Sequence, residues 1–186
     1  MSYIHIQVEG KEIPLLDGSA IEWVRAFEEV GIKRVPKPSN FMREISEPKI
    51  FSKDKSVIAI TPSNKLTIIS TIDFSYKAIG KQTFVIDLNP KCYVDLIAPA
   101  RTFGFKDQFQ QLGELGLIKG GSLENALVCD GDNWVNPPLR FANEPVRHKI
   151  LDLIGDLALV GLPKAQIIVY KGSHSLNALL ASSLKI

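Results

Sequence analysis

Three side chains able to ligate a metal or move a proton, His148, Asp152 and Asp156, stand four residues apart in the run Val146-Arg147-His148-Lys149-Ile150-Leu151-Asp152-Leu153-Ile154-Gly155-Asp156. Residues four apart are neighbours on one helix face, so this spacing turns the imidazole and both carboxylates the same way. His148 with Asp152 makes a pair that could hold a divalent metal, and zinc accepts both donor types. Asp156 falls one turn further on among apolar neighbours, where a carboxylate costs stability unless a partner meets it. The plain alternative is a core helix with a solvated polar stripe, because many helices carry His and Asp four apart without a metal.

The helix that must position these groups is well signalled. Asn143 can cap its start, and Glu144 with Pro145 suits the first turn, where an acid favours the dipole and a missing N–H costs nothing. Gly161 and Pro163 mark its end. Ile150, Leu151, Leu153, Ile154, Leu157, Leu159 and Val160 cover most of the remaining circumference, the pattern of a helix buried on most sides. A second imidazole, His174, follows an apolar strand pattern at a strand-to-helix junction, from which it can project into a cleft or serve as a surface cap. Arg101-Thr102-Phe103-Gly104-Phe105 sets two aromatics around a glycine, as a ligand wall or as core, and Lys119-Gly120-Gly121-Ser122 allows close backbone approach or an ordinary turn.

With 186 residues, 45% of them hydrophobic, the chain can bury a substantial core. A formal net charge of +2, with acids and bases interspersed, argues against a nucleic-acid surface held by charge. Two cysteines, Cys92 and Cys129, make no disulfide framework and fit buried thiols in a reducing compartment. No stretch is long and apolar enough to span a membrane, and the alternation of Ile4, Ile6 and Val8 reads as a strand rather than a signal peptide. A cytoplasmic protein is expected.

Along the chain, residues 3–8 predict a strand and Ile13 to Leu16 a short second one. Ser19 with Glu22 predicts a capping box for a helix carrying Ile21, Trp23, Val24, Phe27 and Val30 and closed by Gly31. Val35-Pro36-Lys37-Pro38-Ser39 reads as a linker. Strands are expected at residues 49–51, 56–61, 66–72 and 82–88, joined by turns into an antiparallel meander. Asn89 can cap a short helix through Ala98, and a second helix is expected from Lys106 to Leu115. A strand at residues 126–129, the long helix, a strand at 166–170 and a last helix at 173–183 complete the series. Grouped rather than strictly alternating elements predict an α+β layered sheet-and-helix sandwich.

Taken in order, several segments resemble the UDP-3-O-acyl-N-acetylglucosamine deacetylase family, zinc amidases of lipid A biosynthesis. They are Glu12 to Ala20, Thr71-Ile72-Asp73-Phe74, Ala100 to Phe105, Gly120-Gly121-Ser122, Leu139-Arg140-Phe141, Val146 to Asp156, and Tyr170 to Asn177. The resemblance implies two similar α+β domains with Zn2+ between them: a first domain of which residues 1–35 are the carboxy-terminal remnant, and a complete second domain over 36–186. It implies that His148 and Asp152 are zinc ligands, and that Lys149 lies near the developing oxyanion. His174 is implied as a cationic stabiliser and proton donor to the leaving amine, oriented by Asp156. Thr102, Phe103 and Gly121 match substrate-contact positions, and Phe109, Ile118, Ala126 and Val128 the acyl passage. Three protein ligands would leave zinc an open position for a water whose pKa falls to about 7.

The family's third ligand and general base, a Glu-His pair in an amino-terminal helix, have no counterpart in this sequence, where His5 lies in an expected strand. Ser173 stands where the family usually places glycine before the histidine. The expected function is therefore zinc-dependent deacetylation of a UDP-linked acylated amino sugar, with this chain inactive alone and completed by the missing amino-terminal domain. The alternative is a non-catalytic paralogue that binds a lipid-linked sugar or a partner protein.

Overall fold

Burial alternates along the central strands. In β3 (Ser56–Pro62) Ile58 and Ile60 are buried, in β4 (Thr67–Asp73) Ile68, Ser70 and Ile72, and in β9 (Pro163–Tyr170) Pro163, Ala165, Ile167 and Val169. This period of two puts one face of a sheet against a core. The computed structural model describes residues 4–10, 13–33, 42–107, 123–136 and 138–184. With β1 (Arg43–Glu44), β2 (Lys49–Lys53) and β5 (Lys81–Asp87), these strands form a six-stranded sheet in the order β2-β3-β9-β4-β5, with β1 also pairing β9. A second, three-stranded sheet comprises β6 (Phe103–Phe105), β7 (Leu127–Asp130) and β8 (Asn133–Trp134).

Four helices complete the described elements: α1 (Ile21–Val30), α2 (Pro90–Cys92, continued as a π turn over Tyr93–Ile97), α3 (Glu144–Ala158) and α4 (His174–Ser183). Helices α3 and α4 lie on one face of the large sheet. Ile150, Leu153, Leu157, Leu176 and Leu180 pack there against Ile58, Ile60, Ile68, Ile167 and Val169 in a single core cluster. On the opposite face Ile50, Val85 and Ile168 are exposed. The chain is thus an α+β layered structure. No helix among the described residues is long and apolar enough to cross a membrane.

The simple meander is not formed. β9 inserts between β3 and β4, antiparallel to β3 and parallel to β4. A central strand needs partners on both edges, and a parallel partner needs a long crossover, which the segment containing α3 supplies. Among the described residues the amino-terminal strands are not formed either. Residues 4–8 and 13–16 take no part in any described ladder, and Ile4, Ile6, Val8, Ile13, Leu15 and Leu16 are exposed. Leu16 adopts a left-handed backbone, φ 55°, which ends any extension toward Gly18, φ 79°.

Two caps differ from expectation. Ala20, not Ser19, is the N-cap of α1, without a side-chain cap bond. Ser19 Oγ instead donates to Asp17 Oδ1 at 2.8 Å, and Glu22 pairs with Arg25. Asn143 precedes α3 without capping it, because its Oδ1 accepts from Arg147 Nε at 2.7 Å. Asn89 does cap α2, accepting from the Cys92 N–H at 2.9 Å. Cys92 is half-buried rather than buried, whereas Cys129 is fully buried. Leu159, expected on the apolar face of α3, is exposed in the turn that closes the helix. The linker at 35–39 and the expected helix beyond Asp107 lie outside the described residues.

Candidate active site

α3 carries Glu144, His148, Lys149, Asp152 and Asp156 along the margin of its buried stripe. The strap Ala98–Thr102 passes over its first turns. His148 Nδ1 lies 3.0 Å from the Ala100 carbonyl oxygen. A carbonyl only accepts, so the hydrogen of a neutral imidazole must be on Nδ1, leaving a lone pair on Nε2. Burial pushes the imidazole pKa below its usual value, against the opposing pull of Asp152, which favours that neutral form at pH 7. Nε2 then faces Asp152 Oδ1 at 3.4 Å. Two electron-rich atoms face each other there in a nearly dry site, an arrangement that a cation between or beside them would relieve. Lys149 Nζ donates to the other oxygen, Asp152 Oδ2, at 2.8 Å.

His174 reaches the same place from the neighbouring helix α4. β9 ends at Tyr170, and Lys171 takes a left-handed φ of 55°, its N–H donating to the Thr71 carbonyl at 2.8 Å. Gly172 follows where a Cβ would come within 2.7 Å of Val169 Cγ1. Ser173 then caps α4, accepting from the Leu176 N–H at 3.3 Å. Ser173 thus serves the helix start. His174, first residue of α4, donates from Nδ1 to Asp156 Oδ2 at 2.8 Å, and Asn177 Nδ2 donates to the same oxygen at 2.9 Å. His174 Nε2 is left 3.9 Å from Asp152 Oδ2. Both imidazoles therefore flank one carboxylate.

An aromatic wall borders this centre. The Phe103 ring stands edge-on to His148 with centroids 6.4 Å apart, and Lys149 Nζ lies 5.6 Å from its centroid. Phe74 meets Phe103 and Phe105 at 5.6 Å each, and Tyr76 stacks on Phe105 at 4.3 Å. The Thr102 N–H donates to the Gly18 carbonyl at 2.7 Å, so the Asp17-Gly18-Ser19 turn is seated on the strap. Gly18 has no room for a side chain, since a Cβ there would lie 2.1 Å from the Asn125 carbonyl oxygen. Ala126 and Val128 are buried around the start of β7. Gly121, Phe109 and Ile118 lie outside the described residues.

Sequence reasoning gave Glu144 no role beyond the helix dipole. In the structure it is fully buried and accepts from four donors: the Arg101 N–H, Nε and Nη2, and the Arg140 N–H, at 2.9, 2.9, 3.2 and 2.6 Å. Arg140 also reaches Asp17 Oδ2 at 2.6 Å and the Pro99 carbonyl at 2.9 Å. The available signal was Glu144 standing one turn before His148 on the same face.

Among the described residues no group of three or more His, Cys, Asp or Glu side chains is arranged to hold a metal. His148 and Asp152 fit zinc as two donors of a site, with a free imidazole lone pair and a carboxylate oxygen beside it.

A family model described as UDP-3-O-acyl N-acetylglycosamine deacetylase matches residues 1–185. Proteins named UDP-3-O-acyl-N-acetylglucosamine deacetylase are similar to the chain. That of Synechocystis sp. is 46% identical over 183 residues, covering 97% of this chain and 66% of that protein. That of Nostoc sp. is 48% identical over 184 residues, covering 96% of this chain and 66% of that protein. A probable UDP-3-O-acyl-N-acetylglucosamine deacetylase 1, mitochondrial, of Arabidopsis thaliana is 41% identical over 187 residues, covering 93% of this chain and 57% of that protein. The chain thus spans somewhat less than two thirds of the length of these curated relatives. Matched along nearly its whole length, it belongs to the UDP-3-O-acyl N-acetylglycosamine deacetylase family.

Proposed function

We propose that this chain supplies part of a zinc-dependent deacetylase centre that removes the N-acetyl group from UDP-3-O-acyl-N-acetylglucosamine. The observation that carries the reading is the convergence of His148 Nε2, Lys149 Nζ and His174 Nε2 on the single carboxylate of Asp152. His148 and Asp152 would hold the zinc, which when bound supplies Lewis acidity toward the amide carbonyl and a water. Lys149, a fixed cation at the edge of the site, offers its charge to the oxyanion that forms as the carbonyl carbon becomes tetrahedral. His174 gives its Nε2 proton to the departing amine nitrogen as the C–N bond breaks, while Asp156 fixes the ring through Nδ1. Thr102 and Phe103 border the substrate, and the second α+β domain runs from about residue 36, with residues 1–35 belonging to a first.

The third ligand and the base would come from the part of the family's length that this chain does not span. The unpaired thiols of Cys92 and Cys129 favour a reducing compartment, the cytoplasm.

The test is acetate release from the UDP-linked substrate. This chain alone should be nearly inactive. A fusion that adds the remaining, unmatched segment of the Synechocystis relative should turn over, and H174A in that fusion should lose about 10²–10⁴-fold in kcat. A folded, zinc-loaded fusion without turnover, or H174A at full rate, would refute the assignment.

A further inference from the structure

One peptide group links Glu144 to His148. The Ala100 carbonyl oxygen accepts from His148 Nδ1 at 3.0 Å, and the N–H of the same peptide, on Arg101, donates to Glu144 Oε1 at 2.9 Å. Glu144 and His148 are one turn apart on α3, so a single helix face captures both ends of one planar unit. We propose that Glu144 is a positioning residue for His148, orienting and polarising the imidazole through the Ala100–Arg101 peptide. The inference rests on His148 being the zinc ligand assigned above.

The chemistry runs through hydrogen bonds in series. A metal-binding histidine commonly donates its second N–H to a carboxylate or a carbonyl, which fixes the tautomer and raises ligand basicity. Here the carbonyl is itself joined to a carboxylate through its own amide. An N–H donated to a negative oxygen draws electron density toward the carbonyl oxygen of the same group, making it a stronger acceptor. The strap cannot swing away, because Glu144 also holds the Arg101 side chain and the Arg140 N–H. Full burial of Glu144 keeps water from competing for its oxygens. A carboxylate placed merely to anchor the strap would need the Arg101 guanidinium alone; capture of the peptide N–H behind the histidine's acceptor is what singles out a role in setting the ring.

The experiment uses the ¹³C- and ¹⁵N-labelled chain without metal, its three histidines assigned with H5Q and H174Q variants. Long-range ¹H–¹⁵N spectra at neutral pH should find His148 in the Nδ1–H tautomer. E144Q should move it toward Nε2–H and raise the dissociation constant for added Zn2+, measured by calorimetry, by about tenfold. R140A removes the side-chain contacts to Asp17 and Pro99 but keeps the backbone N–H on Glu144. It should leave both readouts unchanged even where the melting temperature falls.

Unchanged tautomer and zinc affinity in E144Q, or equal changes in R140A, would overturn the inference. If E144Q fails to fold, the unmodified chain decides. An Nε2–H tautomer, or no hydrogen-bond coupling between the Arg101 amide and the Glu144 carboxyl carbon, would overturn it, and the opposite results would support it. If the unmodified chain takes up no zinc while His148 keeps its Nδ1–H and E144Q shifts it, the metal assignment fails and the relay stands.

Discussion

H148A should reduce zinc uptake by the folded chain to background, whereas H174A and D156N should leave it nearly unchanged. His148 offers zinc an imidazole lone pair held ready by the fold, because the Ala100 carbonyl keeps the ring's hydrogen on Nδ1. Without it Asp152 remains as a single donor already bonded to Lys149, too few for a tetrahedral metal. His174 is assigned to proton transfer and Asp156 to its orientation, so their loss removes chemistry rather than a ligand. Equilibrium dialysis against zinc with metal analysis reads the outcome, and circular dichroism establishes that each variant is folded. Equal loss of zinc in H148A and H174A would reassign His174 as a ligand.

R101A should be the most destabilising of the polar substitutions. Its side chain gives Nε and Nη2 to a carboxylate with no exposed surface, and Nη2 also to the Pro138 carbonyl at 2.9 Å. Removing one partner of a buried pair leaves a desolvated charge and costs about 3–5 kcal/mol. For a chain of this size that lowers the melting temperature by about 10 °C. R101K should recover only part of the loss, since an ammonium cannot reproduce the paired geometry of a guanidinium. By contrast Lys65 and Asp87 form an ion pair with more than half of each side chain exposed, and K65A should cost under about 1 kcal/mol. Thermal unfolding of the three variants checks the ranking. R101A melting with K65A would show that Glu144 does not depend on its arginine.

The layered α+β character was legible because burial writes a period into the sequence. Ile58 and Ile60, Ile68 and Ile72, and Ala165, Ile167 and Val169 alternate with less buried neighbours, and all lie on the core face. The spacing of His148, Asp152 and Asp156 was equally readable, since helix geometry alone puts them on one face. The insertion of β9 between β3 and β4 was not, because strand order depends on contacts between distant segments. The amino-terminal strands show the complementary failure: Ile4, Ile6 and Val8 alternate correctly, but a strand needs a ladder partner and the described residues provide none.

At the site, the approach of His174 to Asp152 could not be read from local pattern, because the chain returns through β9 between the two before α4 begins. The family resemblance carried instead the pairing of His174 with Asp156. Glu144 was missed for a different reason: an acid in a first turn has an ordinary explanation in the helix dipole. Its burial follows from Arg101 meeting it from a distant segment, joined by the N–H of nearby Arg140.

In the proposed centre His148 and Asp152 bind zinc together. X-ray absorption at the zinc edge of the metal-loaded chain tests it most directly. The expected spectrum has a first shell of nitrogen and oxygen at about 2.0–2.1 Å with the outer-shell scattering of one imidazole. A sulfur scatterer at about 2.3 Å, placing the metal on a cysteine, or a shell with no imidazole, would contradict it.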